Sequence, residues 1–320
     1  MPTSRSTRSD CLVLSDGRRL AFTDSGPEDG VPVFYCHGAI GTPVSGTVDL
    51  DAICARLGVR YIAPSRPGIG GSDPAPGRTI RSWATDLREL ADALGLDRFY
   101  VVGVSAGGPY ALAASHALRS RVRRVAVVSS LSPLCALKDT PGLRKRIRYP
   151  LALLERAPRT VVGFGNAVLP LLSARPALLN RVMEVHAARS ERARLATAVE
   201  RSAAATSFFD SCAGGVGGLV SDYGVYSSSW GFDASEVYSE VDVWHGSADP
   251  LVPVEHALVL AAALPHSHVY VDPEEGHHFF RANLERILGV LVGTGEVTAL
   301  RALRQPPADK PRPGARAAAR

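Results

Sequence analysis

Long apolar runs are absent from this 320-residue sequence. The longest candidate, Val161–Leu172, is short for a membrane span and is interrupted by four unfavourable residues, Gly163, Gly165, Asn166 and Pro170. The first ten residues are polar and contain no apolar segment typical of a signal peptide. We therefore expect no membrane partner and predict a cytoplasmic protein.

Cysteine is scarce and unpatterned. The five cysteines are odd in number and form no C-x-x-C pair: Cys11, Cys36, Cys54, Cys135 and Cys212. This spacing argues against a disulfide framework and against a zinc site, and it suits a reducing compartment. No metal or organic cofactor is implied.

Acidic residues are almost missing from the end of the chain, although the net charge is only +5. Asp309 is the one acid among the basic residues Arg301, Arg304, Lys310, Arg312, Arg316 and Arg320. A basic sequence can bind nucleic acid, but there is no recognised motif and no clustered basic strand or helix in the core. We predict a solvated basic tail and no nucleic-acid partner.

What the sequence has is ample apolar material, 46% of its residues, in short β-type runs that alternate with helical patterns. The predicted strands are Leu12–Leu14, Arg18–Thr23, Val31–Cys36, Val59–Ala63, Phe99–Gly103, Val122–Val128, Val241–Trp244 and His268–Val271. The predicted helices among them are Val48–Leu57, Thr79–Leu94, Tyr110–Leu118, Val254–Leu264 and His278–Leu291. This alternation predicts an α/β protein with a mostly parallel sheet and helices on both faces.

The alternation is interrupted in the middle of the chain. Little strand character appears there, and four helical patterns follow one another at Leu143–Arg156, Arg159–Ser173, Pro176–Ala188 and Ser190–Phe209. We therefore predict an α/β core formed by residues 11–130 and 236–293, with a helical cap inserted at 131–235. Residues 1–10 and the basic tail at 294–320 are predicted to be disordered.

The stretch Phe99–Tyr110, FYVVGVSAGGPY, contains a G-x-S-x-G motif between a strand and a helix. Gly103 and Gly107 lack side chains, so strand and helix can pass closely on either side of the turn. The turn lifts Ser105 clear of the sheet and places it at a helix N-terminus, where developing negative charge is favoured. The pattern predicts a nucleophilic serine; the alternative is a tight turn whose serine only caps the helix.

A nucleophilic serine needs a base, and the base needs an orienting group. In a parallel sheet the reacting groups collect at the carboxyl ends of the strands. Asp249 is the only acid close to the end of the run Val241–Trp244, and His277 follows the run His268–Val271. The order Ser105, Asp249, His277 therefore predicts a catalytic triad.

On these residues the sequence resembles the α/β-hydrolase superfamily, in the group whose members carry a cap. The resemblance runs from about Leu12 to Leu291 and rests on five motifs in order: His37-Gly38, Arg66–Ser72, Gly103–Gly107, His245–Pro253 and Gly276-His277. It implies an α/β-hydrolase fold with an inserted helical cap.

The resemblance also implies roles. Ser105 matches the nucleophile, Asp249 the acid and His277 the base. The backbone N–H groups of Ala106 and Ala39 would form the oxyanion hole, and losing one such donor typically costs about 100- to 1000-fold in turnover.

This chain departs from the family pattern at two loops. Ser65 stands where an acidic residue is common, and the segment His37–Pro43, HGAIGTP, is not the HGGG of many lipases. The second departure makes Ala39 the weaker oxyanion assignment. His278 beside His277 leaves an alternative base, and three further acids lie near it, Asp272, Glu274 and Glu275.

The remaining polar candidates have structural interpretations. His37 is expected to brace its loop by hydrogen bonds and His245 to close a strand, while five other histidines are predicted at the surface or in the cap: His116, His186, His256, His266 and His268. Three cap tyrosines, Tyr149, Tyr223 and Tyr226, either polarise a substrate oxygen or pack. The apolar stripe along Val161–Leu172 either lines an acyl pocket or packs the cap on the core.

The predicted function is hydrolysis of a small or medium ester or lactone through an acyl-enzyme on Ser105. Acyl transfer and C–C bond cleavage need the same residues and stay open, as does a small-molecule receptor on the same fold. Epoxide- and halide-processing members of the family use an aspartate nucleophile, and Ser105 speaks against those reactions.

Overall fold

A computed structural model describes residues 7–40, 49–133, 156–185, 192, 197–295 and 301–303. The described strands are β1 (Arg8–Val13), β2 (Arg19–Ser25), β3 (Val31–Cys36), β4 (Val59–Pro64), β5 (Phe99–Val104), β6 (Val122–Val128), β7 (Glu240–Gly246), β8 (Ser267–Asp272) and β9 (Arg301–Leu303).

These strands form one sheet in the order β1-β2-β4-β3-β5-β6-β7-β8-β9. The six strands from β4 through β8 in that order pair in parallel, and β1, β2 and β9 join antiparallel at the two edges. The prediction of a mostly parallel α/β sheet is confirmed. The carboxyl ends of β3, β4, β5, β7 and β8 consequently open onto one edge, where the loops of interest emerge.

Helices cover both faces of the sheet. Their bounds are α1 (Leu50–Leu57), α2 (Trp83–Ala93), α3 (Gly108–Ala117), α4 (Pro158–Ala174), α5 (Pro176–Val185), α6 (Ala198–Ser211), α7 (Gly217–Ser227), α8 (Glu255–Ala263) and α9 (Phe279–Val292). Buried side chains of α2, α3 and α8 form one core, and those of α1 and α9 form a second core on the opposite face. Alternate residues of β5 serve the two cores, Val101 the first and Val102 the second, because successive side chains of a strand point to opposite faces.

Helix α2 begins four residues later than the sequence pattern predicts. Thr79 and Ser82 form a reciprocal pair instead, since each backbone N–H donates to the other side chain at 3.0 Å. The helix starts at Trp83 with Ser82 as its N-cap, so the Thr79 hydroxyl caps the turn before the helix and not the helix itself.

Helices α4 to α7 lie between β6 and β7 and interrupt the α/β alternation. We call them the inserted helices. The helix predicted at Leu143–Arg156 falls almost wholly outside the described residues. Along α4, Phe164 is 71% exposed and Leu171 is 68% exposed, so these two members of the apolar stripe are not packed into the core.

Among the described residues, two short strands lie in segments predicted to be disordered. Strand β1 begins at Arg8, inside the segment predicted to lack structure, and pairs with β2 from Arg8 to Val13. Strand β9 pairs with β8 although it lies in the basic tail. Both segments are ordered by backbone hydrogen bonds to a distant strand, which local composition does not reveal.

Candidate active site

The turn after β5 holds Ser105 in a left-handed backbone conformation, with φ of 53°. Such a value is costly for a residue with a side chain and is tolerated where the surroundings enforce it. Ser105 opens a short 3-10 turn, Ser105–Gly107, which leads directly into α3. The sequence-predicted order of strand, sharp turn and helix is therefore present.

The two glycines of the motif lie where a side chain cannot fit. A Cβ on Gly103 would lie 2.6 Å from the carbonyl oxygen of Gly107 and 2.7 Å from the Cβ of Ala111. A Cβ on Gly107 would lie 1.9 Å from the carbonyl oxygen of Cys36 at the end of β3. Close backbone approach thus explains both glycines and fixes the position of Ser105 relative to β3.

Asp249 and His277 are brought together by the loops that follow β7 and β8. The Nδ1 of His277 lies 2.7 Å from Oδ2 of Asp249. The other carboxylate oxygen accepts the backbone N–H groups of Leu251 and Val252, both at 2.8 Å. Asp249 is thus the carboxylate that orients His277, with its side chain fully buried.

The electrostatics keep this carboxylate ionised. Burial raises the pKa of Asp249, but the interactions with His277 and the Val252 N–H outweigh it, so the net pKa lies below the ordinary value. A carboxylate held at Nδ1 fixes the ring orientation and directs Nε2, the opposite nitrogen of the imidazole, away from Asp249.

The loop after β3 contains the second predicted oxyanion donor, Ala39. Here the backbone N–H of Arg66 donates to Nε2 of His37 at 3.0 Å, and Nδ1 of His37 donates to the carbonyl oxygen of Gly38 at 2.8 Å. Burial, aided by the charge of Arg66, lowers the pKa of His37 to about 3. The ring is therefore neutral and braces the loop, in agreement with the role expected of it.

This loop lies against the turn of Ser105. A Cβ on Gly38 would lie 3.5 Å from the Cβ of Ser105. Ala106, the other predicted donor, is the second residue of the 3-10 turn and is buried. The first N–H groups of such a turn have no acceptor within it and are available to an external oxygen.

His278 and Asp272 have other positions in the structure. His278 is the residue that precedes α9, and its ring centre lies 5.9 Å from that of His277. Asp272 accepts the backbone N–H of Glu274 within its own loop. Asp249 remains the acid that contacts the predicted base.

His256, predicted at the surface or in the cap, is instead fully buried, and that prediction is wrong. It lies on the same face of α8 as Leu260, and its Nδ1 accepts the backbone N–H of Ser132 at 3.0 Å. Burial lowers its pKa to about 4. His245 is also buried and donates from Nε2 to the carbonyl oxygen of Val252 at 2.7 Å.

A buried polar cluster next to the site was not predicted. We call it the Arg66–Asp222 cluster; its members are Arg66, Arg78, Tyr110, Asp222 and Tyr226. Tyr226 donates its hydroxyl to Asp222, so it has a structural partner, whereas Tyr223 is 40% exposed and Tyr149 lies outside the described residues. One signal was available: Asp222 is the only charged residue between 211 and 232.

Two further observations concern the described residues only. No group of three or more His, Cys, Asp or Glu side chains among them is arranged to hold a metal ion. None of their helices combines the length and the apolar character that crossing a bilayer requires.

The chain belongs to the α/β-hydrolase fold family, whose sequence profile matches residues 31–281. It is 27% identical over 267 residues to 2-hydroxymuconate semialdehyde hydrolase of Pseudomonas putida, covering 83% of this chain and 86% of that protein. It is 35% identical over 134 residues to a non-heme chloroperoxidase of Streptomyces lividans, a match that spans 40% of this chain and only 47% of that relative.

Solved structures agree with the family assignment. An esterase from Exiguobacterium antarcticum superposes with a TM-score of 0.66 at 21% identity, covering 89% of this chain and 98% of that chain. A meta-cleavage product hydrolase from Pseudomonas fluorescens superposes with a TM-score of 0.61 at 20% identity, covering 90% of this chain and 96% of that chain. At these identities the likeness shows the fold, and the predicted family membership and α/β-hydrolase fold are confirmed.

Proposed function

We propose that this member of a hydrolase family is a serine hydrolase that cleaves a small or medium ester or lactone through an acyl-enzyme on Ser105. The observation that carries the proposal is the 2.7 Å contact between Asp249 and Nδ1 of His277. Their loops and the strained turn of Ser105 follow strands of one parallel sheet and leave it at the same edge. This arrangement provides an orienting acid, a base and a serine in the chain order of the family.

The first half-reaction forms the acyl-enzyme. Oγ of Ser105 attacks the acyl carbon while His277 takes the serine proton on Nε2, and Asp249 stabilises the resulting imidazolium. The C–O bond to the leaving group then breaks, and His277 gives its proton to the departing oxygen. In the second half-reaction, water attacks the acyl carbon, its proton passes through His277 to Ser105, and the carboxylic acid leaves.

The negative charge that develops on the carbonyl oxygen needs prearranged donors. Ala106 N–H fits this role because it lies at the start of the turn that precedes α3. Ala39 N–H fits it because its loop lies against Ser105 and is braced by His37. Both assignments remain part of the proposal.

The experiment is labelling with a fluorophosphonate, read by intact mass. We expect one adduct on the parent protein and none on Ser105→Ala, because only an activated serine reacts at a useful rate. Esters and lactones are then screened on the parent and on Ser105→Ala. Full esterase activity in Ser105→Ala would overturn the mechanism. No adduct on folded parent protein would favour the small-molecule receptor instead.

A second candidate reaction is hydrolytic cleavage of a C–C bond with the same residues. It is favoured by the match to 2-hydroxymuconate semialdehyde hydrolase, which covers 83% of this chain. Product analysis with a β-diketone beside an ester, in the presence and absence of a competing alcohol, separates C–C cleavage, ester hydrolysis and acyl transfer.

A further inference from the structure

The inserted helices contact the core through an ion pair that is closed to solvent. Asp222 on α7 pairs with Arg66 in the loop after β4: Oδ2 accepts Nε at 2.9 Å and lies 2.8 Å from Nη2. The two side chains are 1% and 0% exposed, respectively. Such a forked pair fixes the plane of the guanidinium as well as its position.

Asp222 has three further partners. Arg78 lies 2.5 Å from Oδ1, which also accepts the hydroxyl of Tyr110 at 3.0 Å, and Tyr226 donates to Oδ2 at 3.1 Å. Burial raises the pKa of Asp222, but the charges of Arg66 and Arg78 outweigh burial, so the pKa lies below its ordinary value. The carboxylate is therefore ionised and saturated with donors.

The guanidinium of Arg66 contacts the loop after β3 with its remaining N–H groups. Nη1 donates to the carbonyl oxygen of His37, and Nη2 donates to the carbonyl oxygen of Gly38 at 2.8 Å. The C=O of Gly38 and the N–H of Ala39 belong to one planar trans peptide and point in opposite directions. Whatever holds the Gly38 oxygen therefore also sets the direction of the Ala39 N–H.

We propose that Asp222 is a positioning residue: by fixing Arg66, it orients the Gly38–Ala39 peptide, so that an inserted helix controls one donor of the oxyanion hole. The inference rests on the proposed function, because it takes Ala39 as an oxyanion donor. Asp222 itself stays away from the reacting atoms and acts through the guanidinium.

Backbone contacts join α7 and the loop after β4 into one unit. A Cβ on Gly218 would lie 1.9 Å from the carbonyl oxygen of Gly68, so these two backbones touch. Arg78 of the same loop donates to the carbonyl oxygen of Gly218 at 3.1 Å. The N–H of Gly70 donates to the carbonyl oxygen of Ser211, the last residue of α6, at 3.2 Å. A displacement of α7 is consequently passed to Arg66 and on to the peptide it holds.

Loss of the Asp222 charge releases this arrangement. Two buried guanidinium groups then face each other without a carboxylate, which is unfavourable in a dry site. Arg66 moves relative to the His37 and Gly38 carbonyls. The Gly38 oxygen then keeps only the hydrogen bond from Nδ1 of His37, and the Ala39 N–H is held less firmly. Arg78 contacts Asp222 and the Gly218 carbonyl of α7 but neither loop carbonyl. After its removal, Asp222 still pairs with Arg66, and the backbone contact of Gly218 with Gly68 still holds α7 against the loop.

The test compares Asp222→Asn with the matched control Arg78→Gln. The readout is the second-order rate constant for phosphonylation of Ser105 by a fluorophosphonate, because that transition state also places negative charge in the oxyanion hole. We expect Asp222→Asn to lower this rate constant by about 10- to 100-fold. The loss is smaller than the loss of about 100- to 1000-fold expected for complete removal of an oxyanion donor, because the donor is misdirected and not absent. The rate constant of Arg78→Gln should stay within about threefold of the parent value, because the direct contacts of Arg66 with Asp222 and with the two carbonyls remain.

A second readout separates positioning from stability. Both variants lower the melting temperature, but only Asp222→Asn weakens inhibition by an alkyl trifluoromethyl ketone, whose serine adduct carries an oxyanion. A folded Asp222→Asn protein that reacts at the parent rate overturns the inference, and so does equal slowing by Arg78→Gln. Should Asp222→Asn fail to fold, Arg66→Lys replaces it, because a lysine keeps the charge but lacks the fork; its expected and contradicting outcomes are the same.

Failure of this inference is distinguishable from failure of the proposed function. If the parent protein forms no adduct on Ser105, the proposed function fails. If the parent reacts and Asp222→Asn reacts equally fast, only the positioning role of Asp222 fails.

Discussion

At Asp249 the two carboxylate oxygens have separate tasks. Oδ1 is held by the backbone N–H groups of Leu251 and Val252, so the side chain cannot rotate, and Oδ2 is left for His277. A base oriented in this way presents a single tautomer. The contact with Asp249 involves His277, so it supports the proposal of His277 over His278 as the base.

The two adjacent histidines provide a matched pair of variants. We expect His277→Ala to lower ester turnover by about 10,000-fold or more, because the proton acceptor is lost, and His278→Ala to change it by less than about tenfold. Steady-state kinetics on both variants, with the parent as reference, checks this. A larger loss in His278→Ala would transfer the assignment of the base to His278.

At the scale of elements, the contact between α7 and the loop after β4 depends on glycine. Gly68 has φ of 76°, a left-handed value, and Gly218 lies directly against its carbonyl oxygen. Arg66, which holds the carbonyls of His37 and Gly38, belongs to the same loop. The loop after β4 therefore connects an inserted helix with the loop after β3.

Neighbouring glycines of α7 make this contact testable. A Cβ on Gly218 meets a backbone oxygen at 1.9 Å, whereas a Cβ on Gly217 meets nothing within 4 Å. We expect Gly218→Ala to lower the free energy of unfolding by about 1–3 kcal/mol through overpacking. Gly217→Ala should leave it unchanged or raise it by up to about 1 kcal/mol, because alanine restricts the unfolded chain.

Denaturant unfolding of the two variants measures the difference in their free energies of unfolding. The rate of phosphonylation of Ser105 measures the effect on the site. Gly218→Ala should also slow phosphonylation, because α7 carries Asp222. Equal free energies of unfolding for the two variants would contradict the prediction, because they would show that α7 and the loop accommodate the added Cβ without destabilisation.

At the scale of the whole molecule, three buried histidines couple folding to pH. Burial lowers the pKa of His37 to about 3 and of His256 to about 4, and it lowers the pKa of His245 as well. The folded protein therefore keeps these rings neutral at pH values where the unfolded chain binds protons. Their contribution to stability is complete above the unfolded pKa of about 6.5 and is lost as the pH falls toward the folded values.

The prediction is a loss of stability between pH 7.5 and pH 5. His37 and His256 should each cost about 2 kcal/mol over this interval, because the unfolded state gains a proton that the folded state excludes, and His245 acts in the same direction. Burial raises the pKa of Asp242, and this effect acts in the opposite direction as the pH falls. Urea unfolding at the two pH values provides the measurement.

A pair of histidine variants isolates one contribution. His256→Asn keeps an acceptor near the Ser132 N–H and removes the titrating ring, so the loss between pH 7.5 and pH 5 should shrink by about 2 kcal/mol. His266→Asn, which replaces an exposed ring, is the control variant. The interpretation fails if both variants show the same pH dependence as the parent.

Local signals in the sequence determined much of this protein. Short apolar runs, glycine positions and chain order predict the parallel sheet, the Ser105 turn and the family, because each depends on residues close to one another in the chain. The pairing of Asp249 with His277 is also inferred from sequence, since both follow strands that end at the same edge.

Only the tertiary structure decided which distant groups meet. Arg66 and Asp222 are 156 positions apart, and the sequence around either residue does not predict its partner. His256 and Ser132 meet in the same way, and β1 and β9 are strands because each finds an unpaired edge. Burying a charge or an imidazole costs free energy unless the group is paired or hydrogen-bonded. The partners come from distant parts of the chain, so only the complete fold brings them together.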